Sequence, residues 1–320
     1  MYHTNAQWKK YSFSQSKMGS PFGLILEADD SLKAVAIANE CYTLVDSFNM
    51  LFSDYEPDSE LSRLSATAGI ANLQAVSPAL WDIILRSQRA YQKSEGAFDI
   101  TIGPLSLLWR KARKNKVFPI ADSVREKRNR VGFKKLVIDN RQQKIRLPIS
   151  GMRFDLGGIA QGYIAQQVID LITQRGITSA LVDAGGDIVM SNAPNGTKGW
   201  VIGLNIPEAT DQFLPRKLLL QNIAVTTSGD AYQYFEHKGT KYSHIIDPRS
   251  GYGMTSRRNV TVIAANGTDA DWLATACSIL PIATAKKLAT SMGAELLITE
   301  LNKGKIAYHS TQGFTTYWKR

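Results

Sequence analysis

Two hydrophobic rhythms run along this chain: apolar steps of three and four residues, which predict helices, and steps of two, which predict strands. The polar opening, residues 1–17, reads as an extension, and Met18 to Glu27 as a strand carrying a Pro and a Gly. Asp29, Asp30 and Ser31 then offer caps to a helix with apolar positions Ala34, Ile37, Ala38, Cys41, Leu44, Val45 and Phe48. FSDYEPDSELSRLS turns around Pro57, with Asp58 or Ser59 capping a short helix, and Ser77–Pro78 opens another that Gly96 ends. GAFDITIGPLSLLW reads as a strand breaking at Gly103 and Pro104, and KLVIDNRQQKIRL as a hairpin turning near Asn140 to Gln142.

The stretch RFDLGGIAQGYIAQQVIDL (153–171) is central. A short apolar run ends on Asp155, Gly157 and Gly158 follow, and a helical pattern begins at Ile159. That order brings backbone close to a ligand and points free N–H groups at it, or serves only as a packed β-to-α turn. SALVDAGGDIVM reads as a strand with a second glycine pair, Gly185 and Gly186. Strands follow at Trp200 to Asn205 and Leu218 to Val225, then a hairpin turning at Lys238 and Gly239. A strand from Asn259 to Ala264, a helix from Asp269 to Leu280, a further helix and a hairpin at Asn302 to Lys305 finish the chain. Hairpins mixed with crossovers predict an α+β fold of mixed and antiparallel sheets with packed helices, in two lobes with a ligand cleft between them.

At 320 residues and 44% hydrophobic, the chain can bury a substantial core. No run of eighteen apolar residues is present, and the first residues lack the apolar stretch of a signal peptide. A trimmed exported protein and a cytoplasmic one both remain open. Cys41 and Cys277 sit in apolar helical patterns, as buried thiols do. The formal charge of +10 is concentrated: residues 110–135 hold eleven Lys and Arg against Asp122 and Glu126. Such a strip is a solvated face or meets an acidic partner, an anionic membrane or nucleic acid. It lacks the interleaved aromatics of a base-stacking surface, so no nucleic-acid role is expected.

Asp271 and Thr275 stand four apart on the predicted helix and therefore share a face. A carboxylate and a hydroxyl suit a Mg²⁺ that keeps waters or takes substrate phosphates; equally, they suit a first-turn Asp and a packed Thr. His244, at a strand end before Asp247, Pro248 and Arg249, is placed as a general base or as a structural residue. The four histidines and two cysteines lack zinc spacing, and the usual phosphate-loop and dinucleotide fingerprints are missing.

Eight segments in order, MGS (18–20), FSDYEPDSELSRL (52–64), GAFDITIGPL (96–105), DLGGIAQGY (155–163), DAGGD (183–187), TSGD (227–230), HIIDPRSG (244–251) and ADWLAT (270–275), resemble the FAD:protein FMN transferases of the ApbE family. The resemblance spans Met18 nearly to the C-terminus. It implies a transferase that cuts the FAD pyrophosphate, moves FMN to a Ser or Thr hydroxyl and releases AMP. Under it, residues 18–320 form one flavin transferase domain of two intertwined lobes. Met18, Tyr55, Ala97, Phe98, Asp99, Asp155 and Gln161 correspond to positions holding FAD, with Ser228, Ile245 and Ile246 against the same ligand. Asp271 and Thr275 match the magnesium ligands, joined by an oxygen at Gly158, and His244 matches the proposed base. The implied partner is an acceptor protein, a respiratory or redox flavoprotein with a D-x-x-[ST]-G-A-[ST] segment, a pattern not found in this chain. Gln161 stands where lysine is common, Asp183 where asparagine is, and Ser20 where threonine is. Many relatives are exported lipoproteins, which suggests the periplasmic side of a membrane. A Mg²⁺-dependent FAD pyrophosphatase and a non-catalytic FAD-binding protein are the alternatives.

Overall fold

Eight strands build the main sheet, and their order across it is their order along the chain. They are β1 (Lys9–Lys17), β2 (Ser20–Ala28), β3 (Ala180–Ala184), β4 (Asp187–Met190), β5 (Ile223–Ser228), β6 (Arg258–Ala264), β7 (Glu295–Asn302) and β8 (Lys305–Ser310). Every neighbouring pair is antiparallel, so the sheet is a meander whose connections have grown. This is a computed structural model and describes residues 8–207, 209–229, 234–302 and 305–319. Part of the polar opening, the end of TSGD at Asp230 and the tip of the last hairpin lie outside those residues.

The helices are α1 (Ser31–Phe52), α2 (Glu60–Ala66), α3 (Pro78–Lys93), α4 (Gly103–Asn115), α5 (Ala121–Arg128), α6 (Ala160–Gln174), α7 (Gly267–Ile279) and α8 (Ile282–Ser291). The first six fill the connection from β2 to β3, and the last two that from β6 to β7. Asp30, Ser59, Ser77 and Asn266 each accept a backbone N–H at a helix start, so four of these starts follow from cap chemistry.

Period-two patterning gives the sheet two apolar faces. Leu24, Val182, Ala224, Val262 and Leu296 join the core beneath the helices, whereas Leu181, Val225, Ile263 and Leu297 join a second cluster with Trp200, Leu218 and Phe314. Small hairpins between β4 and β5 and the C-terminal 3₁₀ turn contribute to that second cluster. With both faces covered, all seven residues of β6 are buried, the polar Arg258, Asn259 and Thr261 included.

The α+β class holds, and several elements differ in detail. The polar opening supplies β1 from Lys9 onward: its register with β2 is unbroken from Lys9↔Ala28 to Lys17↔Ser20, and Met18 sits in the turn with φ 51°. Residues 97–102 form turns rather than a strand, and Gly103–Pro104 opens α4 instead of ending an element. Proline in a first helical turn removes an N–H that would have lacked a partner anyway. The 153–158 segment is also not a strand; it makes one isolated bridge, Arg153 to Ile102. SALVDAGGDIVM is a hairpin, β3 and β4, because Gly185 (φ 71°) and Gly186 (φ 105°) supply the two left-handed residues of a tight turn.

Helices α6 and α7 cross at Gly162 and Gly267. A Cβ on Gly162 would collide with the Gly267 carbonyl oxygen and lie 2.6 Å from the Asp271 Cβ. Gly162→Ala is therefore expected to destabilise the protein by about 1–3 kcal/mol. Chemical denaturation would measure this, and unchanged stability would mean the crossing can open freely.

Candidate active site

The helix crossing builds the floor of the site. Gly162 is the third residue of α6, so its N–H has no partner within the helix. Asp271, one turn into α7 and only 4% exposed, accepts that N–H at 2.9 Å through Oδ2. Thr275 follows one turn later, and the Gly158 backbone comes so close that a Cβ there would lie 2.8 Å from Thr275 Oγ1. A carboxylate, a hydroxyl and a glycine peptide group thus converge where α6 begins. Their hard oxygens fit a small divalent cation.

A second carboxylate sharpens that fit. Asp187, at the start of β4, is buried and accepts the Thr226 hydroxyl at 2.7 Å. Burial, together with the charge of Asp183, pushes its carboxyl up to about 7. Burial and the Asp187 charge hold Asp271 well above the usual carboxylate range, against the opposing pull of the Gly162 N–H. Asp183 is likewise raised by burial while its Oδ1 accepts the Gly186 N–H at 2.8 Å. Enclosed carboxylates that resist ionising together are relieved by a cation.

This arrangement has a consequence for stability. A carboxyl with a raised folded-state pKa binds its proton more tightly when folded, so its contribution is complete below the unfolded pKa. It is lost as pH rises toward the folded value. For Asp187 that window runs from about pH 4 to about 7. In chelator, the protein is expected to lose on the order of a few kcal/mol across it through this group. Asp187→Asn should flatten the dependence of the melting temperature on pH, and an unchanged slope would remove Asp187 as its source.

One wall of the cleft comes from the basic strip. Ile102, just before α4, and Ser106, Arg110 and Arg113 within it form a stripe that lines the cavity, while Lys111, Lys114 and Lys116 are exposed. Arg110 bridges Asp54 and Asp155, reaching the latter at 2.9 Å, and its guanidinium lies 4.1 Å from the Tyr55 ring centroid. Asp155 also accepts the Gly157 N–H at 2.8 Å, so both of its oxygens shape the loop. Asp54 and Arg110 are not foreseen from the sequence as cleft residues, and Arg113 is foreseen only as part of the basic strip. The signal is the 102, 106, 110, 113 spacing, visible once the segment is read as helix.

The rim carries His244, which is exposed and lines the cavity. The loop after it is fixed from behind. Trp109, fully buried in α4, donates its indole N–H to the Gly251 carbonyl at 2.9 Å and stacks on Tyr242. Gly251 packs against Val124 of α5, and Arg128 donates to the Arg249 carbonyl at 3.2 Å. The strip therefore combines a cleft wall, a loop anchor and a solvated face.

The remaining residues singled out from the sequence line the same cavity of about 1410 Å³: Met18, Tyr55, Ala97, Phe98, Asp99, Gln161, Ser228, Ile245 and Ile246. Asp99 accepts from the Thr101 N–H, the Thr101 hydroxyl and the Phe133 N–H, so its carboxylate holds the turn. The Gln161 amide donates to Ser20 at 3.3 Å, beside Gly185, where a Cβ would lie 2.6 Å from the Ser20 hydroxyl. Ser20, Gln161 and Asp183 thus meet near one hairpin.

A large cleft with enclosed carboxylates at its floor and a histidine at its rim is the equipment of an enzyme acting on a charged ligand. Comparison with known proteins says which kind. Residues 18–298 match the ApbE family, and the chain belongs to it. It is 32% identical over 259 residues to the FAD:protein FMN transferase of Treponema pallidum (strain Nichols), covering 77% of this chain and 71% of that protein. It is 33% identical over 262 residues to one from Klebsiella pneumoniae (strain 342), covering 82% and 79%. The ApbE protein of Thermotoga maritima superposes with a TM-score of 0.86 at 26% identity, over 98% of this chain and 100% of that one.

Proposed function

We propose that this protein transfers FMN from FAD to a Ser or Thr hydroxyl of an acceptor protein and releases AMP. The observation carrying this reading is the convergence of Asp271, Thr275 and Gly158 on the floor of the cleft in a member of the ApbE family. The acceptor oxygen bonds to the phosphorus of the FMN half, the bond from that phosphorus to the bridging oxygen breaks, and AMP carries that oxygen away. Asp271, Thr275 and the Gly158 carbonyl would hold Mg²⁺, which when bound offsets charge on the diphosphate. His244 takes the proton of the attacking hydroxyl. Tyr55 and Phe98 offer ring surface to FAD, and Met18, Ala97, Ile245 and Ile246 apolar or backbone contact. With the Asp99 and Asp155 oxygens already engaged, those two residues act mainly by shaping their loops.

Incubation with FAD, Mg²⁺ and a target containing D-x-x-[ST]-G-A-[ST] tests the reading. The target should become fluorescent in a denaturing gel with release of one AMP per FMN attached, and excess chelator should reduce labelling to near background. Free FMN and AMP with an unlabelled target would point instead to a pyrophosphatase, and bound FAD without AMP to a non-catalytic binder.

A further inference from the structure

Arg113 brings a cation to the cleft wall, and among the described residues no anion is set against it. Its Nη1 is enclosed and lacks a hydrogen-bond partner, although the residue lines the cavity. Arg110, one turn earlier, already engages Asp54 and Asp155. Burial and the Arg110 charge both push the Arg113 pKa down, with only Tyr55 opposing them. An enclosed guanidinium beside a second cation is costly unless a ligand anion completes it.

The position of Arg113 indicates which ligand. Its neighbours are Arg110 on the same helix and Tyr55, the latter 72% exposed at the rim, whereas Asp271 lies buried at the floor on α7. Under the transferase reading, on which this inference rests, the diphosphate of FAD is handled at the Asp271 end. An oxyanion at Arg113 then comes from the second substrate. The adjoining face of α4 agrees: Leu107, Lys111 and Lys114 share a helical stripe and are exposed, a surface favouring an acidic segment. We infer that Arg113 pairs with an acidic side chain of the acceptor protein and so determines which hydroxyl-bearing segments are seated for transfer. A carboxylate matches the guanidinium fork with two parallel hydrogen bonds.

A double-mutant cycle tests this. The probes are two versions of a small carrier domain displaying the D-x-x-[ST]-G-A-[ST] segment, one with its acidic side chains and one with each replaced by its amide. Arg113→Ala should raise the KM for the acidic probe by roughly 10–100-fold, with FAD affinity changed less than twofold. The amide probe should show a similar KM with either enzyme, and Arg113→Lys should recover part of the loss. Multiplicative effects, or weaker FAD binding with an unchanged probe KM, would overturn the inference. Fluorescence anisotropy of labelled probes on FAD-loaded protein provides a binding readout independent of chemistry. Arg113-dependent binding without labelling would count against the transferase reading alone, while wild-type protein binding neither probe, or Arg113→Ala binding both normally, would overturn the role given to Arg113. Should Arg113→Ala fail to fold, Arg113→Met and Arg113→Lys permit the same comparison.

Discussion

Asp271→Asn is expected to lower flavin transfer by about 10²–10³-fold while leaving the melting temperature of metal-free protein unchanged or raised. The two halves of this expectation share one cause. Burial and the neighbouring Asp187 make the charged form of Asp271 unfavourable, so the fold gains little from its ionisation. An asparagine oxygen can still accept the Gly162 N–H that Asp271 now accepts. Under the proposed reaction, what the amide cannot supply is a negative charge for a cation facing the diphosphate. Single-turnover labelling of a target, with calorimetric melting in chelator, would measure both. A variant with normal transfer would remove Asp271 from the chemistry, and one that melts far lower would make its main role that of a helix cap.

His244→Ala comes second, with an expected loss of about 10²–10⁴-fold in transfer and little effect on FAD affinity. The residue is exposed on the rim, and its loop is anchored through Trp109, Val124 and Arg128, so truncation removes the proposed base without loosening the wall behind it. Transfer kinetics set beside FAD titration would separate the two effects. An unaltered labelling rate across the pH range would exclude a proton-accepting role.

Much of the helical layer is legible in the sequence because its start signals are chemical. Asp30, Ser59 and Ser77 are capping residues, and they cap the helices they precede. The hairpins expected to turn near Asn140 to Gln142 and at Lys238–Gly239 are both present, with left-handed backbone at Gln143, Lys238 and Gly239. The error at 97–109 is instructive. A Gly-Pro pair halts a strand and equally starts a helix, and local propensity does not choose between them. An extended reading of that segment hides the stripe carrying Arg110 and Arg113 into the cleft. Asp187 presents a different difficulty. Its importance comes from facing Asp271 across a packed floor, and no spacing along the chain records that meeting. Asp271 and Thr275 share one helix face, and their juxtaposition was visible for that reason.

The unbroken chain order of the main sheet also shapes how the protein is made. β1 and β2 can close as a hairpin soon after they are synthesised, but the free edge of β2 has its partner only when β3 appears, with Leu24 waiting for Val182. Throughout that interval a nascent chain presents an unpaired apolar ribbon, open to wrong pairing with other chains. Docking of α1 against this hairpin covers one side of it early, so the longest insertion begins with the element that shelters what came before.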